Sequence, residues 1–249
     1  MTALRIALIG MGRMGRAIAL LARERGIDVV SEIDTDNSTA SGSFAAAQDD
    51  KPTAGITRET LRDADVAIEF TMPDSAPGNI RACVAAGCPI VVGTTGWYEQ
   101  LPALCGEVEL ARGALLAAPN FSVGVAIFDR VAAEAARLFA MVPGFDAHLI
   151  ETHHRAKLDA PSGTAGLLAR TAEAALGRPI PVTSVRVGSV PGTHELIFDA
   201  PFEQVRLVHL ARDRRVFAEG ALVAARWLVG RHGVFSMQDV LSTPEAGAQ

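Results

Sequence analysis

The sequence holds 249 residues, 49% of them hydrophobic, enough to bury one large core or two smaller ones. Against 28 acidic residues stand 23 basic ones, a net charge of -5 with no cluster of Lys and Arg, which argues against nucleic-acid and anionic-membrane partners. The three cysteines, Cys83, Cys88 and Cys105, lack metal-ligand spacing, Pro119 and Asn120 interrupt the longest uncharged stretch, and no signal-peptide pattern opens the chain, so a cytoplasmic protein with reduced thiols is expected.

Residues 4–9 (LRIALI) read as a strand running into Gly10-Met11-Gly12-Arg13-Met14-Gly15, after which Met14, Ala17, Ile18, Leu21 and Ala22 keep helical spacing. This is G-x-G-x-x-G in strand-turn-helix context, where glycines permit a tight turn, close approach of backbone to a pyrophosphate, and close helix-strand packing. Residues 27–33 read as a second strand, and Asp34 at its end is placed to accept hydrogen bonds from an adenosine ribose. The plainer reading is a turn whose glycines serve packing, with Asp34 as a cap. Residues 35–55 are polar, without periodicity, and are assigned no chemistry.

Strands are expected at 66–70, 89–92 and 115–118. They lead into Thr71-Met72-Pro73-Asp74-Ser75, Gly93-Thr94-Thr95-Gly96 and Pro119-Asn120-Phe121-Ser122. In open parallel sheets the ligand crevice lies at the carboxyl ends of strands, so these turns are candidates for a nicotinamide pocket, though each is also an ordinary turn. A long amphipathic helix over 122–140 then leaves the first domain.

An apolar run at 145–150 reads as a strand, and a helical pattern runs from Ser162 to about Gly177. The loop between them packs titratable groups immediately ahead of the helix start, with Glu151, His153, His154, Lys157 and Asp159 before Pro161-Ser162-Gly163-Thr164. Backbone N–H groups of the first helical turn, Ser162 to Thr164, would favour a carboxylate or phosphate, while Lys157 and either histidine could supply charge or protons. As a polar loop with a helix cap, the same residues would do no chemistry. No spacing fixes a metal geometry, and no metal is expected.

Beyond this loop, strands at 182–187, 192–198 and 204–210 suggest a mixed sheet, a helix spans 216–229, and residues 233–241 return to the first domain. The expected fold is α/β. A Rossmann-type doubly wound parallel domain over 1–121, completed by 230–249, accompanies a smaller α+β domain with a mixed sheet over 122–229.

The run ETHHRAKLDAPSGTA at 151–165, with GMGRMGR, VVGTTGW, APNFSVGV and FAEGALVAARWL in order, resembles the dihydrodipicolinate reductase family over nearly the whole length. That resemblance implies an NADH- and/or NADPH-dependent oxidoreductase of lysine and diaminopimelate biosynthesis. The family's substrate, 4-hydroxy-tetrahydrodipicolinate, is a cyclic dicarboxylate that is reduced to tetrahydrodipicolinate with loss of water. By the same resemblance His153 is the acid/base histidine, Lys157 the proton donor, and His154, Gly163 and Thr164 hold the substrate carboxylates. The dinucleotide falls to Gly10 through Gly15 (Met11, Gly12, Arg13 and Met14 included), to Asp34, to Gly93, Thr94 and Thr95, and to Pro119, Asn120, Phe121 and Ser122. The family further implies a homotetramer joined through the second domain's sheet.

Two departures stand out. The first turn is one residue shorter than the family's usual G-x-x-G-x-M-G, and Thr35 stands where an arginine often follows the acid of the second strand. A carboxylate at Asp34 repels a 2′-phosphate, so NADH use at least equal to NADPH is expected, with Arg13 tempering the preference. The rivals are a two-domain dehydrogenase of an amino or hydroxy acid, which would lack the His-His-x-x-Lys loop, and a non-catalytic dinucleotide sensor, which would not need His153 and Lys157.

Overall fold

The computed structural model describes residues 3–34 and 55–242; the polar stretch that begins at Thr35 therefore lies, but for Gly55, outside the described residues. The first half alternates strand and helix: β1 (Arg5–Ile9), α1 (Arg13–Glu24), β2 (Asp28–Ile33), α2 (Arg58–Leu61), β3 (Val66–Glu69), α3 (Ala76–Ala85), β4 (Ile90–Val92), α4 (Leu101–Leu110) and β5 (Ala114–Ala117). After α5 (Val123–Ala140) come β6 (Asp146–His153), α6 (Gly163–Leu176), β7 (Val182–Arg186), β8 (Thr193–Ala200) and β9 (Glu203–Leu210). The chain closes with α7 (Arg215–Leu228), β10 (Gly233–Phe235) and α8 (Met237–Ser242). By packing it divides into two compact units, Met1–Phe121 with Phe217–Gln249, and Ser122–Val216.

Unit 1 is built on a six-stranded sheet of order β10-β5-β4-β3-β1-β2, every adjacent pair parallel. Strands β3, β4 and β5 are buried along their whole length, as expected when both faces of a parallel sheet are covered, whereas β2 at the edge is largely half-buried or exposed. One face packs Ile9, Ile90, Val92 and Leu115 against Ile80 of α3 and Leu104 and Val108 of α4. The helix anticipated over 216–229 as the end of the second domain belongs here instead. A Cβ on Gly220 of α7 would overlap the Phe121 carbonyl, so helix and chain touch backbone to backbone.

Unit 2 is a four-stranded sheet of order β7-β6-β8-β9, with β6 and β7 parallel and the other pairs antiparallel. Its core sets Leu149 of β6 and Leu196 and Phe198 of β8 against Phe128 and Ala132 of α5 and Leu168 and Ala172 of α6. Strand alternation fixes which residues share that helix-covered face. Glu151 and His153 follow Leu149 at steps of two, Glu151 is opposite His194, and His194 is opposite His209. On the parallel side His153 is opposite Arg186.

Candidate active site

In unit 1, β1 ends in a turn that only glycine can make. Gly10 sits at φ +91°, and a Cβ there would run into the Phe70 carbonyl, while one on Gly15 would overlap the Gly10 carbonyl. Gly12 is the opposite case. It is the N-cap residue of α1, no side chain caps it, and among the described residues nothing lies within 4 Å of the position its Cβ would take. The start of α1 thus has room beside Gly12, and a helix N-terminus with room beside it is the setting a pyrophosphate needs. Gly10 N–H bonds the Ile33 carbonyl at 2.8 Å, which brings the turn and exposed Asp34 to one end of the sheet, with Arg13 exposed on the first turn of α1.

The neighbouring turns are tied by a buried acid. Glu69 at the end of β3 is fully buried, and its Oε1 accepts from the Thr71 hydroxyl, from Thr71 N–H at 3.1 Å and from Asn79 Nδ2 at 3.4 Å. Burial pushes this carboxyl above the ordinary range, against the pull of those hydrogen bonds. Thr94 is spent on the neighbouring turn and on Glu69: its hydroxyl accepts from Thr71 N–H at 2.7 Å and bonds the Glu69 carboxyl, while its carbonyl accepts from Trp97 Nε1 at 2.7 Å. Gly93 leaves room for the Phe70 ring, which packs on buried Phe121, so of the 93–95 turn only Thr95 stands exposed. Pro119 is exposed at the end of the β5 segment, and Asn120 is half-buried.

In unit 2, β6 runs to His153, past the point where the apolar run ends, so Glu151 and His153 are strand residues and the connecting loop starts at His154. The strand persists because its inward polar side chains are satisfied. Arg186 forks onto fully buried Glu151, Nη1 to Oε2 at 2.9 Å and Nη2 to Oε1 at 2.6 Å, and Ser162 N–H adds a bond to Oε1 at 3.3 Å. His153 Nδ1 bonds Glu151 Oε2. Burial pushes the Glu151 carboxyl up, but bonds from Arg186, Ser184 and His153 outweigh it and hold the group at about 2. His153 itself lies below its ordinary range, chiefly through burial, with Lys157 and Arg186 offsetting the pull of Glu151.

Ser162 caps α6, its Oγ accepting from Ala165 N–H at 3.2 Å, and among the described residues Gly163 has nothing within 4 Å of where its Cβ would be. Half-buried Lys157 bonds Asp159 Oδ1 at 2.8 Å, and Gly163 N–H donates to the same carboxylate. His154 Nε2 meets Arg214 Nη2 at 3.2 Å. Ser122 is the cap of α5, its Oγ accepting from Val125 N–H at 3.2 Å. Arg186, His194 and Arg214 were not anticipated as site residues; for His194 the cue was a polar residue at an inward position of a strand otherwise lined by Leu and Phe, while Arg214 lies in the turn before α7.

Residues 4–121 match the family model described as dihydrodipicolinate reductase, N-terminus, and residues 124–241 the one described as dihydrodipicolinate reductase, C-terminus. The chain belongs to the dihydrodipicolinate reductase family. Curated relatives support the assignment along the whole length. A 4-hydroxy-tetrahydrodipicolinate reductase of Thiobacillus denitrificans is 35% identical over 95% of this chain and 98% of its own, and one of Myxococcus xanthus is 38% identical over 92% and 94%. Among solved structures, the dipicolinate-bound dihydrodipicolinate reductase from Paenisporosarcina sp. TG-14 shares the fold, with a TM-score of 0.77 at 23% identity over 94% of this chain and 98% of that one. The run 151–165, on which the resemblance chiefly rested, spans the end of β6 and the start of α6, where the buried Glu151 cluster lies.

Proposed function

We propose that the chain reduces 4-hydroxy-tetrahydrodipicolinate to tetrahydrodipicolinate with loss of water, an NAD(P)H-dependent step of lysine and diaminopimelate biosynthesis. The observation that carries this reading is the convergence, in unit 2, of a buried histidine, a lysine and the N-terminus of α6 within one short segment. The family membership and the printed activity of relatives 33–38% identical support it.

Unit 1 is assigned the dinucleotide. The α1 N-terminus at Gly12 to Gly15 takes the pyrophosphate, Asp34 the ribose, and the turns at Gly93 to Thr95 and Pro119 to Phe121 the nicotinamide end. When bound, the reduced nicotinamide supplies the hydride. Unit 2 is assigned the substrate. Gly163 and Thr164 N–H groups with His154 hold the carboxylates, so that Lys157 delivers a proton to the reduced ring and His153 serves as the acid/base group. Neither residue needs a covalent adduct or a metal for this.

The face of the unit 2 sheet opposite the helices carries Val208 and Leu210 of edge strand β9, 55% and 59% exposed, and Val185 on the other edge strand, β7. Apolar strand residues in water are what a second copy would cover, which supports a homotetramer joined through this sheet. No helix among the described residues is long and apolar enough to cross a membrane, and the buried thiols Cys83 and Cys88 suit the cytoplasm. The deciding assay is oxidation of reduced cofactor with substrate generated from pyruvate and aspartate semialdehyde. Turnover dependent on both is expected, and none above the cofactor-only rate would overturn the assignment. Light scattering showing a monomer at working concentration would remove the tetramer.

A further inference from the structure

The Glu151 cluster is more elaborate than a strand end needs. Two strands and the α6 cap converge on one fully buried carboxylate, and the side chain it touches is the histidine proposed to act in catalysis. The bonding fixes where the protons are. An ionised carboxylate only accepts, so the hydrogen between Glu151 Oε2 and His153 Nδ1 belongs to Nδ1. His153 Nε2 makes no hydrogen bond among the described residues, and it is not sealed in as Nδ1 of neighbouring His194 is.

What lies around Nε2 decides its state. Arg186, 18% exposed at its side chain, cancels the charge of Glu151 through two bonds. The other groups facing the imidazole are Lys157, positive, and His194, whose ring stands edge-on at 5.2 Å and is neutral. A free carboxylate would draw a second proton onto the imidazole, whereas one already paired with Arg186 orients the ring without charging it. On the open side, a Cβ at Gly192 would come within 3.0 Å of Nε2, so glycine keeps the space in front of that atom clear.

We propose that Glu151, clamped by Arg186, is the positioning residue for His153: it fixes the imidazole as the Nδ1–H tautomer and presents a bare Nε2 beside Gly192. The proposal rests on the reading of His153 as a participant in the reaction. It divides the labour of the site. His153 enters the cycle as a hydrogen-bond acceptor, and the proton delivered to the ring comes from Lys157.

Nitrogen NMR of protein labelled at histidine, with the His153 signals identified by their loss in His153→Ala, reads the tautomer in the unaltered protein. A protonated Nδ1 and a bare Nε2 are expected at neutral pH; the reverse tautomer or an imidazolium overturns the proposal. Kinetics read the positioning. The Glu151→Leu/Arg186→Met variant replaces the buried pair with apolar groups of similar size, a change that buried pairs commonly tolerate. Its turnover is expected to fall roughly 10- to 100-fold with the cofactor KM unchanged, and adding His153→Ala should lower it no further. A merely structural pair would give additive losses, or none. His153→Ala with full turnover would instead remove the role assigned to His153 and leave the tautomer result standing.

Discussion

Lys157 and Asp159 form an ion pair, Nζ to Oδ1 at 2.8 Å, and Gly163 N–H donates to the same carboxylate, so an internal anion rests between a cation and a helix N-terminus. Those are the groups assigned to a substrate carboxylate. On that assignment Asp159 competes with the substrate for its own site. Asp159→Asn is expected to tighten binding of dipicolinate, a non-reacting ring dicarboxylate, about 2- to 5-fold, in keeping with the modest strength of a half-exposed pair. Calorimetric titration showing weaker binding would mean that Asp159 builds the site.

Lys157 is expected to matter at the chemical step. In Lys157→Ala, turnover should fall by roughly 10²-fold or more while the cofactor KM stays near its original value. A raised substrate KM with turnover intact would reduce Lys157 to an electrostatic anchor.

Stability should fall on mild acidification. Burial, then the neighbouring His153 and His209, lower the His194 imidazole from 6.5 to about 4. Between those values the unfolded chain binds a proton that the folded one refuses, so this contribution is complete above about pH 6.5 and is lost as pH falls toward 4. The full span is worth on the order of 3 kcal/mol. His153 and His209, also lowered mainly by burial, act with the same sign. Urea midpoints at neutral pH and near pH 5 check this, and in His194→Asn the difference between them should shrink.

Cofactor choice turns on Asp34. Side-by-side kinetics should give NADH a kcat/KM at least equal to that of NADPH, and Asp34→Ser should shift the ratio toward NADPH. A strong preference for NADPH in the unaltered protein would show that Asp34 does not meet the ribose.

Gly220→Ala tests the packing of α7. Its new methyl would overlap the Phe121 carbonyl, a backbone atom that cannot rotate away, so a loss of about 1–3 kcal/mol in unfolding free energy is expected. Unchanged stability would mean that α7 shifts freely.

The parts of the site visible in the sequence are those made by one short segment. Gly10 and Gly15 announce themselves because backbone approaches backbone there, and Lys157 through Thr164 because polar groups crowd ahead of a helix. Glu151 was placed in the loop because hydropathy falls at that residue; that Arg186 satisfies it, so that the strand continues, depends on a register set 35 residues away. His194 and His209 are invisible for the same reason, each being an ordinary strand residue until pairing puts it opposite Glu151 or its neighbour. Helix α4 escaped because it is short, begins at a proline and buries only Leu104 and Val108. The allegiance of α7 lay in a glycine contact that no periodicity reports.

The strand that closes the large sheet beside β5 is β10, whose Gly233, Val234 and Phe235 are made after every residue of the smaller unit. As the chain leaves the ribosome, the contiguous segment Ser122–Val216 is whole while β5 still presents an unpaired edge. The unit that begins first is thus finished last, and a truncation anywhere between residues 217 and 235 spares the smaller unit while leaving the nucleotide-type sheet one strand short.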